Sequence, residues 1–201
     1  MDAIAQGRPT IGEQARLNYL RGRVLYASSD TPTALNYWRR LTKGSDRWAR
    51  VRAKRALIEH KLRKNTITRM QAIERLEQLR FAWRGDQLEF DLLRRLGELY
   101  IEEKDFPAGL KSLRQAVTYF PNNIGARAVS KKMTKSFSGI YTDGTSDAMT
   151  PLTALALYDQ FRELTPVGRR GDKIIQRLAD RLVEVDLLDR ASILLDRQVR
   201  F

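Results

Sequence analysis

Apolar residues recur at intervals of three and four along most of the chain, a spacing that places them on one face of an α-helix. The pattern is clearest in the segment 88–103, where Leu or Tyr occupies positions 88, 92, 93, 96, 99 and 100. The same spacing predicts helices over 107–119, 151–163, 173–188 and 190–199. No segment alternates apolar and polar residues convincingly enough to be a strand. The pattern therefore predicts an all-α fold of about ten helices.

Short polar segments separate the predicted helices, and several contain Pro or Gly, which interrupt helices. Short polar side chains beside them could accept hydrogen bonds from the free amides of a first helical turn. These candidate N-caps are Asp30, Thr31, Asp46, Asp86, Asn123 and Thr150. Connections this short favour antiparallel pairs of helices. We expect one domain over 1–201 with five pairs, at roughly 13–43, 47–83, 88–121, 124–163 and 168–199.

Small residues recur twelve positions apart in three of these pairs. We expect each couple to lie where two antiparallel helices cross, because a larger side chain there would push the backbones apart. The couples are Gly22 with Ala34, Gly97 with Gly109, and Ala179 with Ala191.

The segment 90–121 carries the residue pattern of one helical repeat. The first helix has Leu93, Leu96, Gly97 and Tyr100 at the signature positions, and the second has Gly109, Leu113, Ala116 and the helix-ending Pro121. On these residues the chain resembles the tetratricopeptide (TPR) family, strongly at 90–121 and moderately at 15–41 and 172–198. The resemblance implies an α-solenoid of about five antiparallel, irregular helix pairs.

A looser resemblance concerns the stretches FAWRGDQLEFDLLRRLGELYIEEKDFPAGLKSLRQAVTYFPN and LTALALYDQFRELTPVGRRGD. Both are similar to interior parts of large, uncharacterised bacterial TPR proteins, which are often envelope-associated. This resemblance implies no known activity.

The TPR resemblance also implies where a partner would bind. First helices of TPR pairs line a concave surface on which segments of other proteins dock, and Tyr and Arg are common at protein-binding hot spots. The resulting hypothesis is a protein-interaction scaffold for a partner whose identity the sequence does not give. The expected partner-binding residues are Arg16, Tyr19, Arg23, Tyr26, Arg50, His60, Lys61, Arg94 and Glu98, with Asp180 and Glu184 in the last pair.

The net charge of +13 is concentrated in one segment, because residues 39–64 hold eleven Lys and Arg against Asp46 and Glu59. Such a segment could bind phosphates or acidic protein surfaces, or it could be a solvated face that maintains solubility. Binding of nucleic acid or another polyanion is therefore the alternative function. The basic patch comprises Arg39, Arg40, Lys43, Arg47, Arg50, Arg52, Lys54, Arg55, Lys61, Arg63 and Lys64.

The residue types that most often support catalysis are scarce. The sequence has no cysteine and one histidine, His60, which argues against thiolate sites, His-rich metal sites and Ser-His-Asp triads. Paired carboxylates such as Glu102 with Glu103 lie among Lys and Arg on helices expected to be solvated. We therefore expect a non-enzyme with no catalytic residues, no metal and no cofactor. An enzyme would need a pocket that fits a substrate, and no pattern in the sequence indicates one.

The ends of the chain suggest a piece of a longer protein. No apolar stretch is long enough to span a bilayer, and residues 1–14 do not resemble a signal peptide, so the chain as written is expected in the cytoplasm. The last predicted helix has an apolar side with no following neighbour. Either the natural protein continues there, which we favour, or this face packs on another chain, including a second copy. A fragment could belong to the periplasm or envelope.

Overall fold

The computed structural model of the protein describes residues 9–199, with side chains up to residue 196. These residues form ten α-helices and no strand, which confirms the all-α prediction. Short 3₁₀ turns lie at Thr145–Ala148 and Arg162–Leu164. The helices are α1 (Ile11–Ala27), α2 (Thr31–Leu41), α3 (Arg47–Arg63), α4 (Arg69–Ala82), α5 (Gln87–Glu102), α6 (Phe106–Tyr119), α7 (Ala126–Thr142), α8 (Pro151–Gln160), α9 (Arg169–Glu184) and α10 (Leu188–Val199).

Most of these helices begin at a short polar residue that accepts a hydrogen bond from a first-turn amide. The predicted caps Asp30, Asp46 and Thr150 each accept a hydrogen bond from the amide three residues later in the chain. Two predicted caps are wrong. Thr31 lies inside α2 because Asp30 takes the capping position. Asn123 lies three residues before α7 begins and accepts from the amide of Gly125, which is the N-cap residue.

The turn inside a pair repeats along the chain. A non-glycine residue with positive φ follows the first helix of four pairs, and the next amide donates to the carbonyl five residues earlier, at 2.8–2.9 Å. This closure satisfies carbonyl groups left free at a helix end. Because the same hydrogen bond recurs in four pairs, the pairs are structural repeats. The positive-φ residues are Ser29, Asn65, Lys104 and Asp186.

Helices α5 and α6 cross closely at Gly97 and Gly109, as the two glycines predict. A Cβ atom added at Gly97 would lie 2.6 Å from the Leu113 side chain and 2.9 Å from the Gly109 carbonyl oxygen. A Cβ atom added at Gly109 would lie 2.6 Å from Ile101 and 3.0 Å from the Gly97 carbonyl oxygen. The two backbones therefore touch directly. Tyr100 is only partly buried, and Ile101, which the repeat pattern did not single out, fills the space beside Gly109.

The other repeat positions differ in their burial and in the side chains that pack against them. Gly22 receives the indole of Trp38, since an added Cβ atom would lie 2.5 Å from its Nε1 atom. Ala34, which was predicted to face Gly22, is fully buried, and so is Ala116. Ala179 and Ala191 are almost fully buried. Pro121 is exposed, two residues after the end of α6.

The chain divides into two compact units, with the boundary between Leu92 and Leu93 inside α5. The N-terminal unit ends at Leu92, and its first two pairs share a cluster of buried residues: Leu35, Trp38, Leu41, Ala49 and Ala53. The C-terminal unit begins at Leu93, and its core includes the rings of Phe137, Tyr141 and Tyr158, with centroids 5.1–6.2 Å apart. Each unit therefore has a core of its own.

Candidate functional site

The N-terminal unit brings together aromatic side chains from α1, α2 and α3. Tyr19 meets Trp48 edge to face with ring centroids 5.4 Å apart, and Tyr26 stacks on Trp38 at 5.2 Å. These contacts join partly buried rings to the core, since Trp38 is 3% exposed. We call Tyr19, Tyr26, Trp38, Trp48 and His60 the aromatic row.

His60 completes this row from α3. Its Nδ1 atom lies 2.9 Å from the Tyr26 hydroxyl, one repeat away along the sequence. Burial, together with the positive charges of Lys64, Arg63 and Arg39, holds the pKa of His60 below its ordinary value of 6.5. The ring is therefore neutral at physiological pH, and the Tyr26 hydroxyl can donate to it. The predicted residues Tyr26 and His60 thus form one contact.

Cationic residues surround the aromatic row. The Arg16 side chain is 55% exposed and has its guanidinium 5.7 Å from the Trp48 ring centroid. Arg23 and Lys61 are exposed, with no side-chain hydrogen bond or ion pair to another residue that the structure describes. Burial raises the pKa of Tyr19 although nearby arginines, Arg23 first, lower it, so its hydroxyl remains a donor.

One guanidinium, that of Arg52, lies over the rings of both Trp48 and Trp83. Arg52 lies 4.1 Å from the Trp48 centroid and 5.0 Å from the Trp83 centroid, and its Nη2 atom is 2.5 Å from Oδ2 of Asp86. The other Asp86 oxygen accepts from Trp83 Nε1 at 2.8 Å. Burial opposes ionisation of Asp86, but the hydrogen bonds from Arg52, Trp83 and the Leu88 amide hold its pKa below 3.8. We call Trp48, Arg52, Trp83 and Asp86 the Arg52 cluster.

Three further arginines of the basic patch are also bound inside this unit. Arg47 donates to the Ala82 carbonyl oxygen at 3.0 Å, and Arg50 donates to the Gly44 carbonyl oxygen at 2.8 Å. Arg55 pairs with Asp91 at 2.9 Å. Together with Arg52 they connect neighbouring segments of the unit; Arg50, Arg52 and Arg55 are partly buried and Arg47 is exposed, so the basic patch is not a uniform external surface.

The rest of the basic patch does face solvent. Arg63 has its guanidinium 5.0 Å from the Tyr26 ring centroid, and its Nε atom lies 3.4 Å from the Glu59 carbonyl oxygen. The other side chains are exposed and form no hydrogen bond or ion pair with the described part of the chain. They are Arg39, Arg40, Lys43, Lys54, Lys61 and Lys64.

In the C-terminal unit, the predicted residues Arg94 and Glu98 bind each other at 3.3 Å. The Glu98 side chain is 12% exposed and also lies 2.9 Å from Lys132 Nζ and 3.5 Å from Arg95. Glu98 is therefore neutralised by three cations, and most of its surface is covered. Asp180 and Glu184 are exposed on α9.

Sequence reasoning missed a groove between α7 and α9, which holds Ser130, Thr134, Ser138 and Thr142 along one side. Their spacing of four residues is visible in the sequence and marks one helix face. The sequence did not show that α9 lies alongside this face, because that contact joins segments about 40 residues apart, more than one repeat period. The groove has a volume of about 1150 Å³.

Neither a metal site nor a membrane span is evident in the described residues. No group of three or more His, Asp and Glu residues within 9–196 could hold a metal ion. No helix within 9–199 is both long enough and apolar enough to cross a bilayer.

The recurring pair closure and the Gly97–Gly109 crossing at TPR signature positions decide the fold type. It is a TPR-like helical repeat. No protein-family model matches the chain, and no curated protein is significantly similar to it. Among solved structures, it is similar to a chain of nearly identical TPR-like repeats from Podosopora anserina, named for a kinesin light chain, with 13% identity, a TM-score of 0.49 and 94% of both chains covered. A point variant of that same protein gives 14% identity, the same TM-score and the same coverage.

Proposed function

We propose that this protein is a non-catalytic scaffold that binds a segment of a partner protein on the aromatic row of its N-terminal unit. One observation carries the proposal: the partly buried rings of Tyr19, Tyr26 and Trp48 lie beside exposed cations, with Arg16 over Trp48, Arg63 over Tyr26 and Arg23 near Tyr19. Protein-binding hot spots have this composition, with aromatic anchors inside a polar rim. The function is thereby assigned to a surface on α1 and α3.

The chemistry of this surface favours a partner with apolar or aromatic anchors and acidic flanks. The ring faces supply contact area at little cost in side-chain entropy, since their mutual contacts already fix them. The exposed cations would attract carboxylates and raise the association rate more than the final affinity.

Selection from a random peptide display library tests the proposal without knowledge of the natural partner. The immobilised chain should enrich peptides that share a motif, and their affinity should fall about tenfold in Arg23→Glu with Lys61→Glu. Neither side chain has a structural bond, so the fold should be unaffected. The matched control is Lys111→Glu with Arg127→Glu, two exposed cations of the C-terminal unit. Failure to enrich a motif, or equal losses in both double variants, would contradict the proposal.

Polyanion binding is the second candidate, and the seven solvent-facing cations of the basic patch that make no ion pair favour it. Charge alone gives binding that is weak, sequence-independent and steeply dependent on salt. Gel shifts with duplex and single-stranded DNA over a salt series test this candidate. Arg39→Glu with Arg40→Glu should abolish a shift seen at low salt; the absence of any shift at low salt would end the candidate.

A further inference from the structure

The first helix pair leaves an apolar face of α1 in solvent. Leu17, Leu20 and Val24 follow one another at steps of three and four residues and are 43%, 44% and 68% exposed. Together with Arg21 and with Tyr37 of α2, they line a groove between the two helices. A contiguous apolar surface that faces solvent marks a site of association.

The second pair covers the corresponding face of its own first helix. The helix α3 lies one repeat of 34 residues after α1, so Leu17 corresponds to Val51 and Val24 to Ile58. Val51 and Ile58 are both buried, and Ile58 lines the same small cavity as Thr42, the residue that ends α2. In α3, the second helix of the preceding pair therefore helps to cover this face.

The fifth pair exposes the other side of the same type of contact. Leu195 holds the place in α10 that Trp38 holds in α2, four residues after the small crossing residue. Trp38 shares a buried cluster with Ala49 and Ala53 of the following helix, α3. Leu195, in contrast, is 40% exposed, and Leu188 on the same helix is 56% exposed. The helix α10 therefore presents to solvent an apolar face of the kind that α2 buries against α3.

The two exposed faces carry opposite charges. The helix α1 contains three arginines against one carboxylate, and Arg21 lines the groove itself. Residues 180–196 contain five carboxylates against two arginines, of which Arg181 donates to carbonyl oxygens of its own unit. The five carboxylates, all exposed, are Asp180, Glu184, Asp186, Asp189 and Asp196. Opposite charges steer the two different faces together and oppose contact between two copies of the same face.

The spacing of the apolar side chains also matches between the two faces. Leu17 and Val24 are seven residues apart, and so are Leu188 and Leu195. Two helical turns place the members of each couple about 10.5 Å apart along the helix axis, so both apolar contacts form together when the helices pack side by side. A carboxylate directly follows each of the two leucines on α10, within reach of the arginines of α1.

We propose that copies of this chain associate head to tail, with α10 of one copy seated in the α1 groove of the next. A second helix then precedes a first helix across the contact, as α2 precedes α3 inside the chain. Such a contact joins two different surfaces, so every dimer keeps one free α1 face and one free α10 face, and assembly continues into a ring or a filament. The proposal does not rest on the aromatic row.

Sedimentation velocity over a series of protein concentrations tests the proposal, with one double variant for each face. We expect the mass of the parent protein to rise with concentration, past that of a dimer. Leu17→Gln with Val24→Gln, and separately Leu188→Gln with Leu195→Gln, should each weaken self-association at least about tenfold, because each removes two apolar side chains from the contact. All four side chains are exposed, so circular dichroism should show an unchanged fold.

A mixture of the two double variants gives the sharper test. Each variant keeps the face that the other has lost, so an equimolar mixture should form a dimer that grows no larger. Arg21→Glu should weaken self-association of the otherwise unchanged chain several-fold. The control Ile124→Gln with Leu152→Gln removes two exposed apolar side chains that lie on neither face and should associate like the parent protein. A parent protein that is monomeric at every concentration, a mixture that stays monomeric, or an equal loss in the control would each overturn the proposal.

Discussion

The two units connect their successive helix pairs with different chemistry. In the N-terminal unit, arginines stack on tryptophans and pair with carboxylates, as Arg52 does with Trp48, Trp83 and Asp86. In the C-terminal unit, which contains no tryptophan, Arg177 and Arg181 donate to backbone carbonyl oxygens 32–36 residues away, a bond that Arg47 also makes to Ala82 in the N-terminal unit. Both units therefore use the guanidinium, whose planar fork of donors suits several acceptors at once.

This difference determines what each unit presents to solvent. The N-terminal unit is the more basic in sequence, yet four of its patch arginines are bound internally. The C-terminal unit is closer to neutral, yet it leaves lysines unpaired around an open groove. The net charge of a segment is consequently a poor guide to where unpaired cations face solvent. The partners of each cation decide it.

The largest loss in the free energy of unfolding should come from a larger side chain at the Gly97–Gly109 crossing of the C-terminal unit. Gly97→Ala would force a methyl group against Leu113 and the Gly109 carbonyl, and we expect a loss of about 3 kcal/mol in the free energy of unfolding. Gly139→Ala is the matched control, because its nearest new contact, Asp143 Oδ2, is at an ordinary 3.4 Å. That variant should be stabilised by about 0.7 kcal/mol, since alanine favours the helix. Urea denaturation measures the free energy of unfolding of both variants. Similar values for Gly97→Ala and Gly139→Ala would contradict the close helix contact at Gly97.

In the N-terminal unit, the largest loss in the free energy of unfolding should come from removing the Arg52 guanidinium. Arg52→Ala breaks an ion pair whose arginine is 11% exposed and removes the cation–π contacts with Trp48 and Trp83, so we expect a loss of about 2 kcal/mol in the free energy of unfolding. Lys54→Ala, on the exposed side of the same helix, should cost less than about 0.5 kcal/mol. Arg52→Lys keeps the charge but not the planar stack, and should fall between them. An unchanged free energy of unfolding in Arg52→Ala would show that the Arg52 cluster contributes nothing to stability.

A smaller effect is expected from the buried phenol of the C-terminal unit. The Tyr141 hydroxyl donates to the Ala154 carbonyl oxygen at 3.0 Å, and burial raises its pKa. Tyr141→Phe keeps the ring but leaves that carbonyl without this donor, which should cost about 1 kcal/mol. Tyr119→Phe, with its exposed ring, should be indistinguishable from the parent protein by thermal denaturation. Equal melting temperatures for all three proteins would rule out a role for the bond.

The smallest effect should be the pH dependence from His60. Its folded-state pKa lies below 6.5, so the unfolded chain binds the proton more readily, and His60 favours the folded state above pH 6.5 but loses that contribution as the pH falls. Because the sequence has one histidine, its NMR resonance reports the pKa directly. We expect a pKa below 6.5 that rises in Lys64→Gln. A value at or above 6.5 in the parent protein would refute the assigned environment.

Much of the fold was predictable because helices leave a periodic trace in the sequence. The spacing of leucines placed α5 and α6 within a residue or two, and Gly97 with Gly109 marked their crossing. The repeated turns were not predictable, since Ser29, Asn65, Lys104 and Asp186 adopt positive φ without being glycine. Asn and Asp tolerate that conformation better than most residues, but Ser and Lys do not, so tertiary context sets it at Ser29 and Lys104.

The candidate sites were less predictable, because they depend on which side chains meet. The sequence identified Tyr26 and His60 as separate candidates but gave no sign of the bond between them. It marked the basic segment without showing that Arg47, Arg50, Arg52 and Arg55 are bound internally. Whether the predicted surface binds a partner stays a prediction.

The distribution of tryptophans makes the two units optically distinguishable. All three indoles of the sequence, Trp38, Trp48 and Trp83, precede Leu92, and each is packed against a tyrosine or an arginine. Excitation at the red edge of indole absorption therefore follows the N-terminal unit alone, while far-ultraviolet circular dichroism averages over every helix. Superimposable melting curves from the two signals would mean a single cooperative transition. Separated curves would mean that each half loses its structure at its own temperature.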